Sequence, residues 1–221
     1  MKIKLIFGIV CLYMFVLGCA DKRKYHDAIK SDAALVNSEL TKEILLFQNA
    51  LNEEFKNPET SPLPDRYRKD FQGLDFFKPD TSFRVIASLT RTIDATPFMM
   101  PTTTERLSEE VVYGVANFAL NGKNYRLEIY QNLELMKTAE YENYLFLPFL
   151  DDTNGEETYA GGRYLDLSIP EGDTIVLDFN RAYNPYCAYN KKYSCPIVPK
   201  VNYLNTKISA GVKSFKPKSI K

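Results

Sequence analysis

The chain has 221 residues, and its 28 basic side chains are balanced by 28 acidic ones, which gives no formal net charge at neutral pH. His26 is the sole histidine, which excludes histidine-rich metal sites by count and leaves Ser-His-Asp catalysis without a well-placed imidazole. With 15 Tyr, 14 Phe and no Trp, the composition favours half-buried β-strands.

The N-terminus has the features of a bacterial lipoprotein signal peptide. Two lysines precede an uncharged, mostly apolar stretch, 5–17, which is shorter than the roughly 20 residues of a membrane-spanning helix. It ends in Val16-Leu17-Gly18-Cys19, which resembles a lipobox, because small residues stand beside a thiol that can take the lipid. We therefore expect residues 1–18 to be removed and acylated Cys19 to hold the protein in a lipid bilayer. An ordinary secretory signal or an anchor helix is the alternative.

This signal predicts an extracytoplasmic protein that is lipid-anchored to a bacterial membrane, and we expect the outer membrane. Nucleic acid is therefore not an expected partner. The chain then divides into the signal peptide (1–18), a segment with the lipid anchor, a tether and a helix (19–64), and a β-rich domain (65–221).

Residues 26–57 are predicted to form an amphipathic helix. Its apolar residues recur at spacings of three and four, as a single stripe on a helix requires. They are Val36, Leu40, Ile44, Phe47, Leu51 and Phe55. The stripe could pack on the chain's own domain or bind a partner helix. Three prolines within 58–64 then end the helical pattern.

The rest of the chain is predicted to be mainly β. Asn121-Gly122 supplies the positive φ angles of a tight turn, so 110–120 and 124–131 should form a hairpin. Further strands are expected where apolar residues alternate or run together, at 82–90, 144–150, 163–169 and 174–179, and 203–210 could close the sheet. Many short strands at this spacing predict an antiparallel sandwich or a partly open barrel, with an N-terminal amphipathic helix.

Cys187 and Cys195 are the cysteines that follow the lipidation residue. Outside the cytoplasm, a pair eight positions apart is most simply a disulfide, which would contribute roughly 2.5 kcal/mol by restricting the unfolded chain. Two buried free thiols are the first alternative. A catalytic or metal-binding pair is the second, although the C-x-x-C spacing of redox sites is absent. We expect no metal site and no cofactor.

Charge is unevenly distributed along the chain. Residues 128–178 contain 12 acidic and two basic side chains, whereas residues 181–221 contain nine basic side chains and no acidic one. The two segments could lie close together and neutralise each other, or the basic segment could face anionic lipid headgroups or another polyanion.

Three motifs in the second half of the chain are long and specific. They are Glu157-Thr158-Tyr159-x-Gly161-Gly162-Arg163-Tyr164, Asp178-Phe179-Asn180-Arg181-Ala182-Tyr183-Asn184-Pro185 and Cys195-Pro196-x-x-Pro199. Over residues 145–213 the sequence resembles a bacterial family known as the domain of unknown function 1684. The resemblance implies a β-rich domain, often found in exported lipoproteins, and implies no activity. The chain departs from the family pattern at Val201 and Val212, where acidic residues are usual, so a role of those carboxylates cannot operate here.

The same segment holds the candidate site residues. Asp178 and Asn180 alternate onto one face of their strand, and Arg163 of the preceding strand could reach Asp166 or Asp178 if the two strands pair. The candidate set is Arg163, Asp166, Asp178, Asn180, Arg181, Tyr183 and Asn184. These polar groups could pin a long loop. They could instead form a site in which Arg163 grips an anion, Asp178 acts as a base and Tyr183 is a platform.

Two functions follow from these features. A binding or scaffold module of the cell envelope fits the lipid anchor, the scarcity of histidine and the tyrosine-rich domain, and its ligand would be a glycan or an anionic envelope component. An envelope hydrolase that uses Asp178, Asp166 and Arg163 is the alternative. A structural subunit of an envelope complex, attached through the helix, is the third reading.

Overall fold

The computed structural model of the protein describes the backbone of residues 22–216 and the side chains of residues 34–216. Residues 37–216 belong to one compact unit. The predicted signal peptide and the predicted lipidation at Cys19 lie outside the described residues. Within residues 22–216, no helix combines the length and the apolar character that crossing a membrane requires.

Two α-helices precede the sheet, α1 (Lys22–Lys56) and α2 (Asp65–Arg68). Helix α1 confirms the helix predicted for this part of the chain, and it ends just before Pro58, which cannot continue the hydrogen-bond ladder. Ile44 and Phe55 are each 1% exposed. The Phe55 ring packs edge-on against Tyr189, with 4.7 Å between the ring centroids. The part of the predicted apolar stripe from Ile44 to Phe55 therefore packs on the domain of its own chain, which was one of the two expectations, whereas Val36 is 57% exposed.

Eight strands form one sheet that curls into a half-barrel. In chain order they are β1 (Arg84–Arg91), β2 (Phe98–Pro101), β3 (Leu107–Leu120), β4 (Lys123–Asn132), β5 (Tyr144–Asp151), β6 (Arg163–Ser168), β7 (Thr174–Asp178) and β8 (Tyr203–Leu204). The order across the sheet is β6-β5-β4-β3-β1-β7, with β2 beside β3 and β8 beside β5. All neighbours are antiparallel except β8, which runs parallel to β5. The mainly β fold predicted from the sequence is confirmed.

The β3–β4 hairpin is the part of the sheet that local sequence determines most directly. Asn121 and Gly122 both have positive φ, at 50° and 74°, as the predicted tight turn requires. Residues 116–120 pair in continuous register with 123–127 on either side of the turn. On the β4 side, Leu127 and Ile129 are fully buried, because alternate residues of a strand share one face of the sheet.

A β-bulge in β3 changes which residues of this strand face the core. The register with β4 shifts between Val112 and Gly114, so one extra residue is inserted on the β3 side. Beyond the bulge, Ala116 and Phe118 point into the hydrophobic core. Before the bulge, the even-numbered residues instead lie on the opposite face of the sheet, and they include the buried Glu110. The bulge therefore places the Glu110 side chain on the face of the sheet opposite to the hydrophobic core.

Each face of the sheet carries its own hydrophobic cluster. The larger cluster uses alternate residues of the central strands, such as Leu145, Leu147 and Phe149 of β5, together with residues of the segments that follow β7 and β8. The smaller cluster, on the other face, is centred on Tyr130, Phe146 and Tyr164 and is more aromatic. This smaller cluster forms the floor of the cleft described below.

The structure differs in three details from what the sequence indicated for the strands. Strand β2 was not predicted, and the segment predicted to close the sheet at 203–210 forms only the two-residue strand β8. Strands β6 and β7 do not pair, because β7 crosses to the far end of the sheet and pairs with β1. This last difference matters most, since the predicted contact of Arg163 with Asp178 depended on that pairing.

Candidate functional site

A cleft of about 690 Å³ lies on the face of the sheet that carries the smaller hydrophobic cluster. Helix α1 forms one wall, strands β3 to β6 form the floor, and the loop 183–196 forms the other wall. We call this space the aromatic cleft because of the rings that line it. They are Phe47, Tyr144, Phe146, Tyr164, Tyr183, Tyr186 and Tyr193.

The aromatic rings of the cleft hold each other in edge-on contacts. Phe146 and Tyr164 lie 4.7 Å apart between centroids with nearly perpendicular planes, and Tyr164 meets Tyr183 at 5.9 Å in the same way. Within the loop 183–196, the ring centroids of Tyr186 and Tyr193 are 5.2 Å apart. Such contacts are favourable for aromatic pairs and fix the ring orientations. The cleft therefore presents rigid aromatic surfaces.

The exposed carboxylate of Asp166 on β6 is held at the edge of the cleft by two phenols. Tyr144 donates a hydrogen bond to Asp166 Oδ1 over 2.7 Å, and Tyr183 donates to the same oxygen over 2.5 Å. Burial, and then the Asp166 charge, raise the pKa of both tyrosines, so both hydroxyls stay protonated at neutral pH. The other carboxylate oxygen, Oδ2, accepts no hydrogen bond from the described residues. It is thus available to a ligand.

Glu110 on β3 is the buried acid of the cleft, with 2% of its surface exposed. Its Oε1 accepts hydrogen bonds from Ser108 Oγ at 2.8 Å and from Asn132 Nδ2 at 2.7 Å. Its Oε2 is buried and has no hydrogen-bond partner among the described residues. Burial raises the pKa of Glu110, and the hydrogen bonds from Asn132 and Ser108 only partly offset that effect.

The charge of the cleft lining is strongly acidic. Arg106 is its one basic residue, and its guanidinium is occupied by Ser194, with Nε donating to Oγ at 3.1 Å and Nη2 to the backbone carbonyl at 3.0 Å. Five acidic residues belong to this lining, Glu54, Glu109, Glu110, Glu134 and Asp166. The potential inside the cleft therefore favours positive or neutral ligands over anions.

Of the residues predicted from the sequence, Asp166 and Tyr183 line the cleft. Arg163 does not, because it points to the other face of β6 and is fully buried. Its Nη2 lies 2.7 Å from Asp151 Oδ2 in an ion pair that is completely excluded from solvent. The predicted contact of Arg163 with Asp166 or Asp178 was wrong, since Asp166 points away on an alternating strand and Asp178 lies on the distant β7.

The remaining predicted residues outside the cleft hold loops in place. Asp178 accepts hydrogen bonds from the backbone and side-chain nitrogens of Asn180, at 3.0 and 2.9 Å, and so caps a short 3₁₀ turn that follows β7. Asn180 also exchanges hydrogen bonds with the backbone of Asp80. Asn184 donates to the Lys213 carbonyl over 2.9 Å, and the Arg181 guanidinium lies over the Phe47 ring. This is the loop-pinning arrangement that was the structural alternative.

The disulfide predicted between Cys187 and Cys195 is not formed. Both residues are free thiols, with Cys195 buried at the edge of the cleft and Cys187 half-buried. The backbone N–H of Cys187 donates to the Cys195 sulfur over 3.2 Å. The Cys195 thiol donates to the Cys187 sulfur, which lowers the pKa of Cys187 and raises that of Cys195. The pair is joined by hydrogen bonds in place of the covalent bond.

The acidic and basic segments of the chain meet in part. Lys207 contacts Glu156 at 3.2 Å and Glu157 at 3.7 Å, which confirms that the basic segment neutralises some of the acidic one. These ion pairs lie on the surface outside the cleft lining. Of the acidic residues that line the cleft, Glu134 pairs with Lys137 at 2.6 Å, and the others have no lysine partner among the described residues.

Sequence reasoning missed Glu110, Tyr144 and Tyr186, which contribute much of the polar lining. Glu110 follows another glutamate, and alternation alone does not tell which of the two is buried. Gly114 was the available signal, because a glycine inside a strand often marks a bulge. A Cβ there would lie 2.8 Å from the Thr90 carbonyl, so the glycine permits β1 to approach the bulged strand closely.

Comparisons with known proteins give a family and a fold. The family described as Protein of unknown function (DUF1684) matches residues 69–213. An uncharacterized protein of Haloarcula marismortui, with a structure determined in solution by NMR, is 32% identical over 83% of this chain and 96% of that one, with a TM-score of 0.62. No curated protein matches the sequence. Among the described residues, no group of three or more His, Cys, Asp or Glu is arranged to hold a metal ion.

The family match spans more than half of the chain, and the archaeal protein is similar over nearly its whole length. The residues matched by the family include the motifs around Arg163 and Asp178, which the structure places at the buried ion pair and the capped turn. The chain belongs to the family of proteins of unknown function designated DUF1684.

Proposed function

We propose that the chain is a lipoprotein of the bacterial cell envelope, anchored through acylated Cys19 in the outer membrane, whose β domain binds a sugar unit of an envelope glycan in the aromatic cleft. The anchor rests on the N-terminal sequence, in which a short apolar stretch ends at a small residue followed by Cys19. The binding role rests on the cleft, and on one observation above all, its rigid tyrosine lining with preset hydrogen-bonding groups.

The size and lining of the cleft suit a small organic ligand. Ligand pockets in proteins usually enclose about 300–1,000 Å³, and the cleft, at about 690 Å³, falls within that range. Aromatic faces pack against the apolar face of a sugar ring, while its hydroxyls need acceptors and donors around the edge. Asp166 offers a carboxylate oxygen, and Glu110 offers a second one, both fixed by hydrogen bonds from neighbouring side chains.

The electrostatics select between the two ligand classes expected from the sequence. An anionic envelope component would enter a space lined by five carboxyl groups and one guanidinium that is already bound to Ser194. Repulsion between an anionic ligand and the acidic side chains of the cleft disfavours its binding. A glycan without strong negative charge meets no such penalty, and we therefore retain the glycan and drop the anion.

The hydrolase considered from the sequence has less support than binding. It required Asp178, Asp166 and Arg163 in one site, and of these only Asp166 lines the cleft. Arg163 is buried against Asp151, and Asp178 caps a turn. Their positions account for both residues as supports of the fold.

Binding is tested with the full chain in detergent micelles and a panel of neutral, N-acetylated and amino sugars, by saturation-transfer NMR and calorimetry. We expect at least one sugar to bind. Tyr193→Ala should weaken its binding about tenfold, since an aromatic contact contributes about 0.5–1.5 kcal/mol beyond its buried area. Tyr203→Ala is the control, because Tyr203 is 50% exposed and lies outside the cleft lining. No binding at millimolar sugar would overturn the proposal.

The anchor is tested separately in cells. Wild-type protein should fractionate with the outer membrane and carry acyl chains on Cys19 of the cleaved chain, as read by mass spectrometry. Cys19→Ser should retain the signal peptide and carry no acyl chain. Cleavage elsewhere, or an unmodified Cys19, would contradict the lipoprotein assignment and leave the binding proposal untouched.

A further inference from the structure

The aromatic cleft contains one polar atom whose hydrogen-bond partner is missing from the described residues. Glu110 is 2% exposed, lines the cleft and has its Oε1 fixed by Ser108 and Asn132. Its Oε2 is shielded from solvent and has no hydrogen-bond partner among the described side chains and backbone groups. A buried carboxyl oxygen without a donor is costly, and such atoms in native proteins call for a specific explanation. A ligand that donates a hydrogen bond would supply that partner.

The charges around Glu110 indicate which donor fits. The cleft lining has five acidic residues and one basic residue, Arg106, whose Nε and Nη2 donate to Ser194. A neutral hydroxyl would satisfy the hydrogen bond and leave the excess of negative charge in place. An ammonium group would satisfy both, because it donates to Oε2 and compensates the buried charge.

The aromatic walls support the same ligand charge. A cation held within about 6 Å of a tyrosine or phenylalanine ring is attracted by the negative face of the ring. Tyr144 lies on β5, between β6, which carries Asp166, and β3, which carries Glu110, and its hydroxyl donates to Asp166 Oδ1. A cation beside Tyr144 would therefore lie near an aromatic ring and the Asp166 carboxylate, in the cleft that Glu110 also lines.

We infer that the sugar bound in the aromatic cleft is an amino sugar whose free ammonium group binds Glu110 Oε2. This inference rests on the proposed function and names the substrate class for it. The ring of the sugar packs on the tyrosines, its hydroxyls meet Asp166, and its ammonium occupies the position opposite the Ser108–Asn132 pair.

The test compares one pair of probes on the full chain in detergent micelles by calorimetry, the β-1,4-linked glucosamine dimer and its N-acetylated form. The two differ in charge and acetylation and share the sugar backbone. We expect the free amine form to bind about tenfold or more tightly, since hydrogen bonds between charged groups exceed neutral ones by that margin. Its advantage should shrink as NaCl is raised, because salt screens the attraction.

The matched variants are Glu110→Gln, which keeps size and hydrogen-bonding shape, and Glu105→Gln, which lies on the exposed turn outside the cleft lining. Glu110→Gln should bring the two affinities close together, and Glu105→Gln should leave their ratio unchanged. Circular dichroism of each variant checks that the fold persists. The ratio of the affinities of the wild-type protein for the two dimers tests the ammonium assignment by itself, so the test does not depend on a variant that fails to fold.

The outcomes separate this inference from the proposed function. Equal affinity of wild-type protein for both dimers overturns the ammonium assignment, while sugar binding itself stands. A preference for the amine that Glu110→Gln does not reduce overturns the role of Glu110. Binding of neither dimer overturns the inference, and if the wider sugar panel also fails, the proposed function falls with it.

Discussion

The guanidinium of Arg163 and the carboxylate of Asp151 form an ion pair of 2.7 Å between side chains that are both fully excluded from solvent. Asp151 Oδ1 also accepts hydrogen bonds from the backbone N–H groups of Thr153 and Ile208, at 2.9 and 3.1 Å. Arg163 donates to the carbonyls of Ile208, at 2.9 Å, and Ala210. The pair therefore ties the end of β5 and the start of β6 to the C-terminal segment.

Arg163→Ala should destabilise the fold by about 3–5 kcal/mol, because it leaves the Asp151 carboxylate buried without its counter-ion. Urea denaturation followed by circular dichroism measures the loss. The double variant Arg163→Met, Asp151→Leu should lose less than Arg163→Ala, since neither charge remains buried. Asp178→Asn is the comparison within the same motif region, and it should change little, because asparagine can also cap the turn. A near-zero effect of Arg163→Ala would contradict a structural role for the pair.

Gly162, just before Arg163, is held at a positive φ of 90°. A Cβ at this position would lie 2.6 Å from both the Phe149 carbonyl oxygen and Val198 Cγ2. Gly162→Ala should therefore cost about 1–3 kcal/mol from backbone strain alone, with the clash adding to it. Gly172→Ala is the matched control, since its φ is unstrained and no atom lies within 4 Å of the added carbon. Thermal melting of the two variants side by side checks this, and equal midpoints would refute it.

The sequence predicted local elements well and long-range neighbours poorly. Asn121-Gly122 fixed the hairpin because the turn geometry depends on those two residues alone. The pairing of β7 with β1 was missed because alternation identifies the face of a strand and carries no information on its partner. That gap produced the wrong partner for Arg163, whose true partner, Asp151, lies at the end of β5.

In the candidate site, too, the sequence predicted residues near local motifs and missed those that depend on long-range neighbours. Asp166 and Tyr183 were predicted because they stand beside specific motifs. Glu110 was not recognised, because its orientation depends on the bulge between Val112 and Gly114, and because one of its two partners, Asn132, comes from the neighbouring strand β4. A site assembled across strands β3 to β6 has no signature in a single stretch of sequence.

The thiols of Cys187 and Cys195 offer a test of the hydrogen-bonded pair. Because the Cys195 thiol donates to the Cys187 sulfur and lowers its pKa, Cys187 should form the thiolate at lower pH than a free cysteine. Its alkylation by iodoacetamide, followed by peptide mass spectrometry, should therefore stay fast at pH values below 8. Cys195→Ala removes the donor and should move the midpoint of the rate profile upward. An unchanged profile would show that Cys195 does not control Cys187.

Glu110 should make the stability of the protein fall as the pH rises. Burial raises the pKa of Glu110 in the folded protein above its value of about 4.3 in the unfolded chain. Between these two values the folded state binds more protons than the unfolded state, so the free energy of unfolding decreases with rising pH. The contribution is fully present below the unfolded pKa and is lost as the pH passes through the raised pKa.

Glu110→Gln should remove this pH dependence and raise the stability at pH 7 by about 1 kcal/mol, or roughly 2–4 °C in the melting midpoint. At pH 3 the variant and the wild type should melt together, because Glu110 is protonated in both states of the wild type. Glu105→Gln, on an exposed position, should track the wild type at both pH values. A lower midpoint of Glu110→Gln at pH 7 would mean that the ionised carboxylate stabilises the fold. A higher midpoint together with weaker amino-sugar binding would show that Glu110 is kept at a cost in stability for the ligand it binds.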